Sequence, residues 1–197
     1  MSYLLASASL IRLQLLRAAN LDVTAVAPRV DEDAARDALQ AEAAYPRDVA
    51  DTLAEMKARK VAERHPTQLV IGCDQVLSLG ERIFTKPANR EDAIEQLQSL
   101  RNRTHRLLSA IVVYENTEPV WRYVGSADLT MIDLSDHYLS DYVDRNWDSI
   151  RHAVGCYKLE EEGVRLFSDI RGDYFTILGL PLLPLLAWLR TRGMIAA

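Results

Sequence analysis

The sequence predicts an α/β fold on a mixed sheet, and three observations carry that prediction. Short apolar runs bounded by turn-forming residues alternate with longer stretches whose apolar residues recur at helical spacing. One such run, Leu69-Val70-Ile71-Gly72-Cys73-Asp74-Gln75-Val76, is entered from His65-Pro66-Thr67, left through Gly80, and reads as a buried central strand. No linker, low-complexity segment or internal repeat breaks the alternation, so residues 1–197 read as one domain.

The elements follow in order. Residues 3–6 read as a strand, Ser7-Ala8-Ser9 as a turn, and 10–19 as a helix with Ile11, Leu15, Leu16 and Ala19 on one face. A strand, small hydroxyl residues and a helix start make a natural anion site, because free backbone N–H groups and the helix dipole converge there. Arg12 in the first turn suits such an anion; it is also compatible with a plain serine cap and a surface arginine. Residues 21–27 read as a second strand, ending at the acids Asp31, Glu32 and Asp33. These form either a solvated loop or helix start, or ligands for a hard cation. Residues 34–46 are helical or partly mobile.

Asp51 is expected to cap a helix to about residue 64, with Leu53, Ala54, Ala58, Val61 and Ala62 inward. Lys57 shares their stripe, so it either snorkels to water or projects into a cleft. Only Lys57, Lys60, Lys86 and Lys158 are lysines among 23 basic residues, and that arginine bias favours the cleft. The central strand brings Asp74 to its end, where a buried carboxylate needs a partner or a task. A turn and short strand over 80–84 lead to Thr85-Lys86-Pro87, whose proline holds Lys86 extended in a loop.

Asn89 caps the next helix, which buries Ala93, Ile94, Leu97 and Leu100. Residues 105–114 and 120–133 read as strands, the second alternating through Val124, Ala127, Leu129 and Met131. Ser135 caps a helix to about 145 with Leu139, Tyr142 and Val143 inward. Residues 155–167 read as a strand or hairpin carrying Glu160-Glu161-Glu162, and 182–192 as an amphipathic helix after Gly179-Leu180-Pro181.

Composition bounds the function. Hydrophobic content of 49% with 26% charged residues is ordinary for a globular protein. A net charge of −5 disfavours stable nucleic-acid or anionic-membrane binding. Cys73 and Cys156 are far apart with no C-x-x-C, which points to small core residues in a reducing cytoplasm. The first residues lack a basic leader pattern, and no apolar run reaches the length of a membrane span. Neither G-x-G-x-x-G, a P-loop nor G-x-S-x-G is present.

Taken together, the chain resembles the Maf family of nucleoside triphosphate pyrophosphatases. The matching stretches are Leu4-Leu5-Ala6-Ser7-Ala8-Ser9 with Arg12, Val30-Asp31-Glu32, Leu53-Ala54-Glu55-Met56-Lys57-Ala58 and Ile71-Gly72-Cys73-Asp74-Gln75-Val76. They continue with Lys86-Pro87, Gly155-Cys156-Tyr157-Lys158 and Gly179-Leu180-Pro181-Leu182. The resemblance implies a two-lobed Maf/ITPase-like fold with the active cleft between the lobes, a homodimer, and Mg²⁺- or Mn²⁺-dependent hydrolysis of a nucleoside triphosphate. By position it makes Asp74 the general base, Glu32 and Asp74 the metal ligands, and Ser7, Ser9, Arg12, Lys57 and Lys86 the grip on the triphosphate. Gln75, Glu160 and Lys158 match the 7-methyl-GTP subgroup rather than the dTTP/UTP one. Ile11 stands where that subgroup often has tryptophan. Three further departures are Leu10-Ile11 for proline-arginine, Thr85 for glycine before Lys86, and Glu161 where glycine is common. A dTTP/UTP-type enzyme, a phosphatase and a nucleotide-binding regulator of septum formation are the competing readings.

Overall fold

The computed structural model describes residues 2–196. In chain order the elements are β1 (Ser2–Ala6), α1 (Leu10–Ala18), β2 (Asp22–Ala25), α2 (Glu32–Ala41), α3 (Pro46–Ala62), β3 (Leu69–Leu79) and β4 (Arg82–Phe84). They continue as α4 (Arg90–Leu100), β5 (Thr104–Glu115), β6 (Glu118–Met131), α5 (Asp136–Ile150), β7 (Phe167–Arg171), α6 (Tyr174–Ile177) and α7 (Leu182–Thr191). The seven strands form one mixed sheet in the order β2-β1-β3-β5-β6-β7, with β4 against β3.

β3 is the axis of this sheet. Along one side it pairs antiparallel with β5 over residues 70–78. Along the other it changes partner. Its first half pairs parallel with β1, ending at Ala6↔Gly72, and its second half pairs antiparallel with β4, starting at Leu77↔Phe84. Residues 73–76 therefore have no strand neighbour on that side. The chain leaves the gap in two directions, through Ser7-Ala8-Ser9 after β1 and through Thr85-Lys86-Pro87 after β4. Asp74 was expected near a strand end. It lies mid-strand, and the strand that ends beside it is its neighbour β1.

Side chains alternate across a strand, so β3 serves both faces. Val70 and Val76, with Leu108, Ala110 and Val112 of β5, pack under Leu53, Ala54, Ala58 and Val61 of α3. Leu69, Ile71 and Cys73, with Ile111 and Val113, pack on the opposite face against Leu16 of α1 and Leu182, Leu185 and Leu189 of α7. Further along that second face, Leu77, Leu107, Ala127, Leu129 and Met131 meet Leu97 and Leu100 of α4 and Leu139, Tyr142 and Val143 of α5. Between the last two cores runs a cross-strand row of polar and small residues, Gln75↔Ser109↔Gly125. The sheet is continuous, and this row is the seam at which its helical cover divides.

Several elements differ from the sequence reading. α3 begins at Pro46 rather than at Asp51, because proline at the first helical position needs no N–H partner and has the right φ. Asp51 lies inside the helix and pairs with Arg122 at 2.6 Å. α2 begins at Glu32, two residues earlier than expected. Residues 155–167 form no hairpin. Gly155 (φ +74) and Cys156 (φ +60) turn the chain within a short 3-10 turn at Val154–Cys156, a second follows at Glu162–Leu166, and only then does β7 start. Val124 belongs with the α3 core, on the face opposite Ala127, Leu129 and Met131. A spacing of three residues crosses a strand rather than following one side.

Candidate active site

Asp74 points to the α3 face of the sheet, where Lys57 meets it. The Lys57 Nζ donates to Asp74 Oδ1 at 2.6 Å and lies 2.8 Å from Glu32 Oε2. Lys57 is 5% and Asp74 6% exposed, so the lysine does not snorkel; it closes a largely buried ion cluster. Close packing makes this reach possible. A Cβ on Gly72 would run into the Ala54 carbonyl and lie 2.7 Å from the Ala58 Cβ, so glycine lets α3 lie directly on β3. Glu32 arrives from the first turn of α2, whose start is fixed by Asp31 Oδ1 accepting from Ala34 N at 3.0 Å.

The loop after β1 is also organised. Ser7 Oγ accepts from Ser9 N at 3.1 Å, and Ser9 caps α1 by accepting from Arg12 N at 3.5 Å. Arg12 ties three segments together. Its Nε donates to the Gly179 carbonyl at 2.7 Å, and its Nη1 to the Cys73 carbonyl at 3.1 Å and Ser7 Oγ at 3.3 Å. α1 has no acid in its first turn to compete with an anion. Lys86 is exposed in the loop two residues beyond β4, whose last pairing, Phe84 with Leu77, closes the other end of the gap. Serine hydroxyls, a helix start and two cations thus frame residues 73–76. The Asp74–Lys57–Glu32 cluster lies on the α3 face.

The residues matched to base selection spread differently. Gln75 follows Asp74 and so faces the other side of the sheet. Its amide donates to the Ile177 carbonyl at 2.9 Å, Ser109 Oγ at 3.0 Å and the Thr176 carbonyl at 3.3 Å. Ile11 is half-buried on α1. Of the three glutamates after Leu159, two are anchors. Glu161 accepts from Ser149 at 2.6 Å and Lys158 at 3.2 Å, and Glu162 accepts from Arg145 at 2.7 Å and Asn146 at 2.8 Å. Burial alone would raise the Glu161 carboxyl, but the Ser149 hydroxyl and Lys158 ammonium outweigh it and hold it below the usual range. The Arg145 hydrogen bond, with Asn146, depresses Glu162 likewise. Glu160 is exposed and makes no ion pair with the described residues.

The family model described as Maf-like protein matches residues 2–192. The chain belongs to the Maf-like family. A relative from Ruegeria pomeroyi named nucleoside triphosphate pyrophosphatase is 58% identical over 192 residues, covering 98% of this chain and 96% of its own. One of the same name from Roseobacter denitrificans is 59% identical over 190 residues, covering 96% of each. A relative from Rhizobium meliloti named 7-methyl-GTP pyrophosphatase is 48% identical over 194 residues, covering 98% of each.

In this Maf-like protein the cluster has two carboxylates about one ammonium, an excess of one negative charge. Among the described residues no group of three or more His, Cys, Asp and Glu side chains gathers into a metal site. Two carboxylates are what a magnesium site shared with substrate phosphates and water usually draws from a protein, so the donor set fits such an ion. Asp74 Oδ1 is spent on Lys57; Oδ2 takes no hydrogen bond from the described residues and is not sealed from solvent. Cys73 is inert beside it. Burial pushes its thiol up to about 11, against the pull of Arg12 and Lys57.

Four participants escaped the sequence reading: Ser109 and the carbonyls of Thr176, Ile177 and Gly179. The one available signal was Ser109, a lone hydroxyl inside the apolar run 107–113. Among the described residues no helix is long and apolar enough to cross a membrane.

Proposed function

We propose that this Maf-like protein is a nucleoside triphosphate pyrophosphatase that prefers 7-methyl-GTP to dTTP and UTP. The observation that carries it is the convergence of Asp74, Lys57 and Glu32 beside a gap rimmed by Ser7, Ser9, Arg12 and Lys86. The names of relatives at 54–59% identity support the reaction.

Asp74 takes a proton from water as the water oxygen bonds to the α-phosphorus. The Pα–O bond to the β-phosphate breaks, and pyrophosphate leaves with that oxygen and its electron pair. Ser7, Ser9, Arg12 and Lys86 hold the triphosphate in line and offset its charge. Lys57 holds the two acids together and offers its ammonium to the incoming phosphate. Glu32 and Asp74 would hold Mg²⁺ or Mn²⁺, which supplies charge neutralisation at the phosphate oxygens. Chelation with EDTA should abolish turnover, and added Mg²⁺ or Mn²⁺ should restore it.

The base preference rests on Glu160. A carboxylate accepts from the N1–H and exocyclic amine of guanine, a donor pair that uracil and thymine lack. N7-methylation makes the base cationic, which a carboxylate favours further. Ile11 offers apolar contact without aromatic stacking, so discrimination should be weaker than in a tryptophan-bearing relative. The relative named 7-methyl-GTP pyrophosphatase supports the same base.

The test is a panel of 7-methyl-GTP, GTP, dTTP and UTP scored for both pyrophosphate and phosphate. Pyrophosphate should appear, fastest from 7-methyl-GTP, and Glu160→Gln should erode that preference. Higher efficiency with dTTP or UTP overturns the base. Phosphate release, or tight binding without turnover, overturns the reaction. The resemblance also carries a homodimer, which light scattering would report as about twice 22.2 kDa.

A further inference from the structure

Residues 158–166 lie between the 3-10 turn at Val154–Cys156 and β7, pair with no strand, and carry Lys158 and Glu160. One buried side chain grips this segment at both ends. His105 shares the side of β5 that carries Leu107 and is 2% exposed. Its Nε2 meets the Tyr157 hydroxyl at 2.8 Å. Its ring lies 5.6 Å from that of Tyr157 and 5.8 Å from that of Phe167, and the tyrosine and phenylalanine rings meet edge-on at 4.8 Å. Tyr157 immediately precedes the segment and Phe167 immediately follows it, so the three rings close its base.

The segment is also tied along its length. A Cβ on Gly155 would run into Leu77 Cδ1 and lie 3.0 Å from Tyr157 Cε1, so the tyrosine ring rests on bare backbone. A Cβ on Gly163 would strike the Lys158 carbonyl and lie 2.8 Å from the Lys158 nitrogen, so the segment folds back on itself. Glu161 and Glu162 are spent on α5, the first on Ser149 and the second on Arg145 and Asn146. Glu160 is exposed and makes no ion pair with the described residues. Packing alone does not call for a histidine beneath this segment. The His105 Nδ1 is buried and has no partner among the described residues, a cost that leucine or phenylalanine would avoid. What the imidazole adds is direction. Its one hydrogen bond sets the Tyr157 hydroxyl, and with it the tilt of the ring that begins the segment.

We propose that His105 is a positioning residue for base selection, which holds Tyr157 and Phe167 together and so sets where residues 158–166 present Glu160 to the base. This rests on the assignment of base selection to Glu160. His105, Tyr157 and Phe167 share no hydrogen bond with Ser7, Ser9, Arg12 or Lys86, so their influence falls on the base and not on the phosphates. A carboxylate held in advance loses less ordering freedom when the base arrives, and a slackened segment forfeits that advantage.

The test compares wild type with Tyr157→Phe, His105→Leu and His105→Gln. Tyr157→Phe keeps the ring and removes only the hydroxyl, so it stands in if His105→Leu folds poorly. The readouts are kcat/KM for 7-methyl-GTP and dTTP, calorimetric binding of inorganic tripolyphosphate with Mg²⁺, which carries no base, and Tm. Tyr157→Phe and His105→Leu should lower the ratio of 7-methyl-GTP to dTTP efficiency about tenfold, the scale of coupling within one packed and hydrogen-bonded group. Tripolyphosphate binding should stay at the wild-type level. His105→Gln, whose amide nitrogen can reach the tyrosine hydroxyl, should restore most of the ratio. In a Glu160→Gln background neither Tyr157→Phe nor His105→Leu should change it further.

A lower Tm with the wild-type ratio assigns His105 and Tyr157 to the fold alone and overturns the proposal. So does a common loss for both nucleotides and tripolyphosphate, or a further change of the ratio in the Glu160→Gln background. If Glu160→Gln itself leaves the wild-type ratio unchanged, the reading of Glu160 fails instead. A ratio that still falls in Tyr157→Phe then keeps His105 as the holder of another base contact on residues 158–166, and one that does not fall overturns that role as well.

Discussion

At the scale of single residues, burial decides which charges carry chemistry and which carry the fold. Asp74→Asn keeps a hydrogen-bond acceptor for Lys57 but removes the base, so pyrophosphate release should fall at least about a hundredfold. Wild-type rates from a folded Asp74→Asn protein would remove Asp74 from the mechanism. The two lysines separate cleanly. Lys57 was expected to act on phosphate alone, but it is buried between two carboxylates, and truncating one partner of a buried pair costs about 3–5 kcal/mol. Lys57→Met should therefore lose both stability and turnover. Lys86 is exposed, so Lys86→Met should leave stability within about 0.5 kcal/mol while impairing turnover. Thermal melts beside kinetics distinguish them, and equal losses of stability would place Lys86 in the fold.

At the scale of elements, the site depends on how closely α3 lies on β3. Gly72 is the point of contact, between the Ala54 carbonyl and Ala58. Gly72→Ala must push the helix outward, at a cost of about 1–3 kcal/mol for an overpacked core. Lys57 rides on that helix and its Nζ sits 2.6 Å from Asp74, so a shift of a few tenths of an ångström loosens the pair. Activity measured well below the melting transition should fall by more than tenfold while the protein stays folded. Unchanged kcat in a destabilised Gly72→Ala protein would show that the site tolerates the displacement. α2 brings Glu32 to the cluster yet buries none of its residues, so Asp31 capping and the ion pair hold it in place more than packing does.

At the scale of the whole molecule, the core beneath α4 and α5 encloses one ionisable group that sets acid stability. His105 is 2% exposed; its Nε2 meets the Tyr157 hydroxyl at 2.8 Å and its Nδ1 has no partner. Burial pushes its pKa down to about 4, against the pull of Asp128, so the folded protein holds it neutral where the unfolded chain would protonate it. The unfolded state then binds the extra proton between pH 6.5 and about 4, and stability falls as pH drops through that window. The slope approaches about 1.4 kcal/mol per pH unit. In denaturant titrations His105→Gln should lose that part of the slope, and an identical pH dependence in both proteins would place the acid sensitivity elsewhere. The sequence by itself determined the alternating α/β order, the motif residues around the site and the acid in the central strand. Apolar spacing, caps and turn formers are local signals, and each acts within a few residues. It misread residues 155–167 because the two consecutive positive φ values there depend on what the turn packs against. Only the tertiary structure decided that β3 exchanges one neighbour for another beside Asp74, that Lys57 is shared by two acids, and that Gln75 faces the side of the sheet opposite Asp74. Those facts come from pairing across the sheet and from the alternation of its faces, which join residues far apart in the chain.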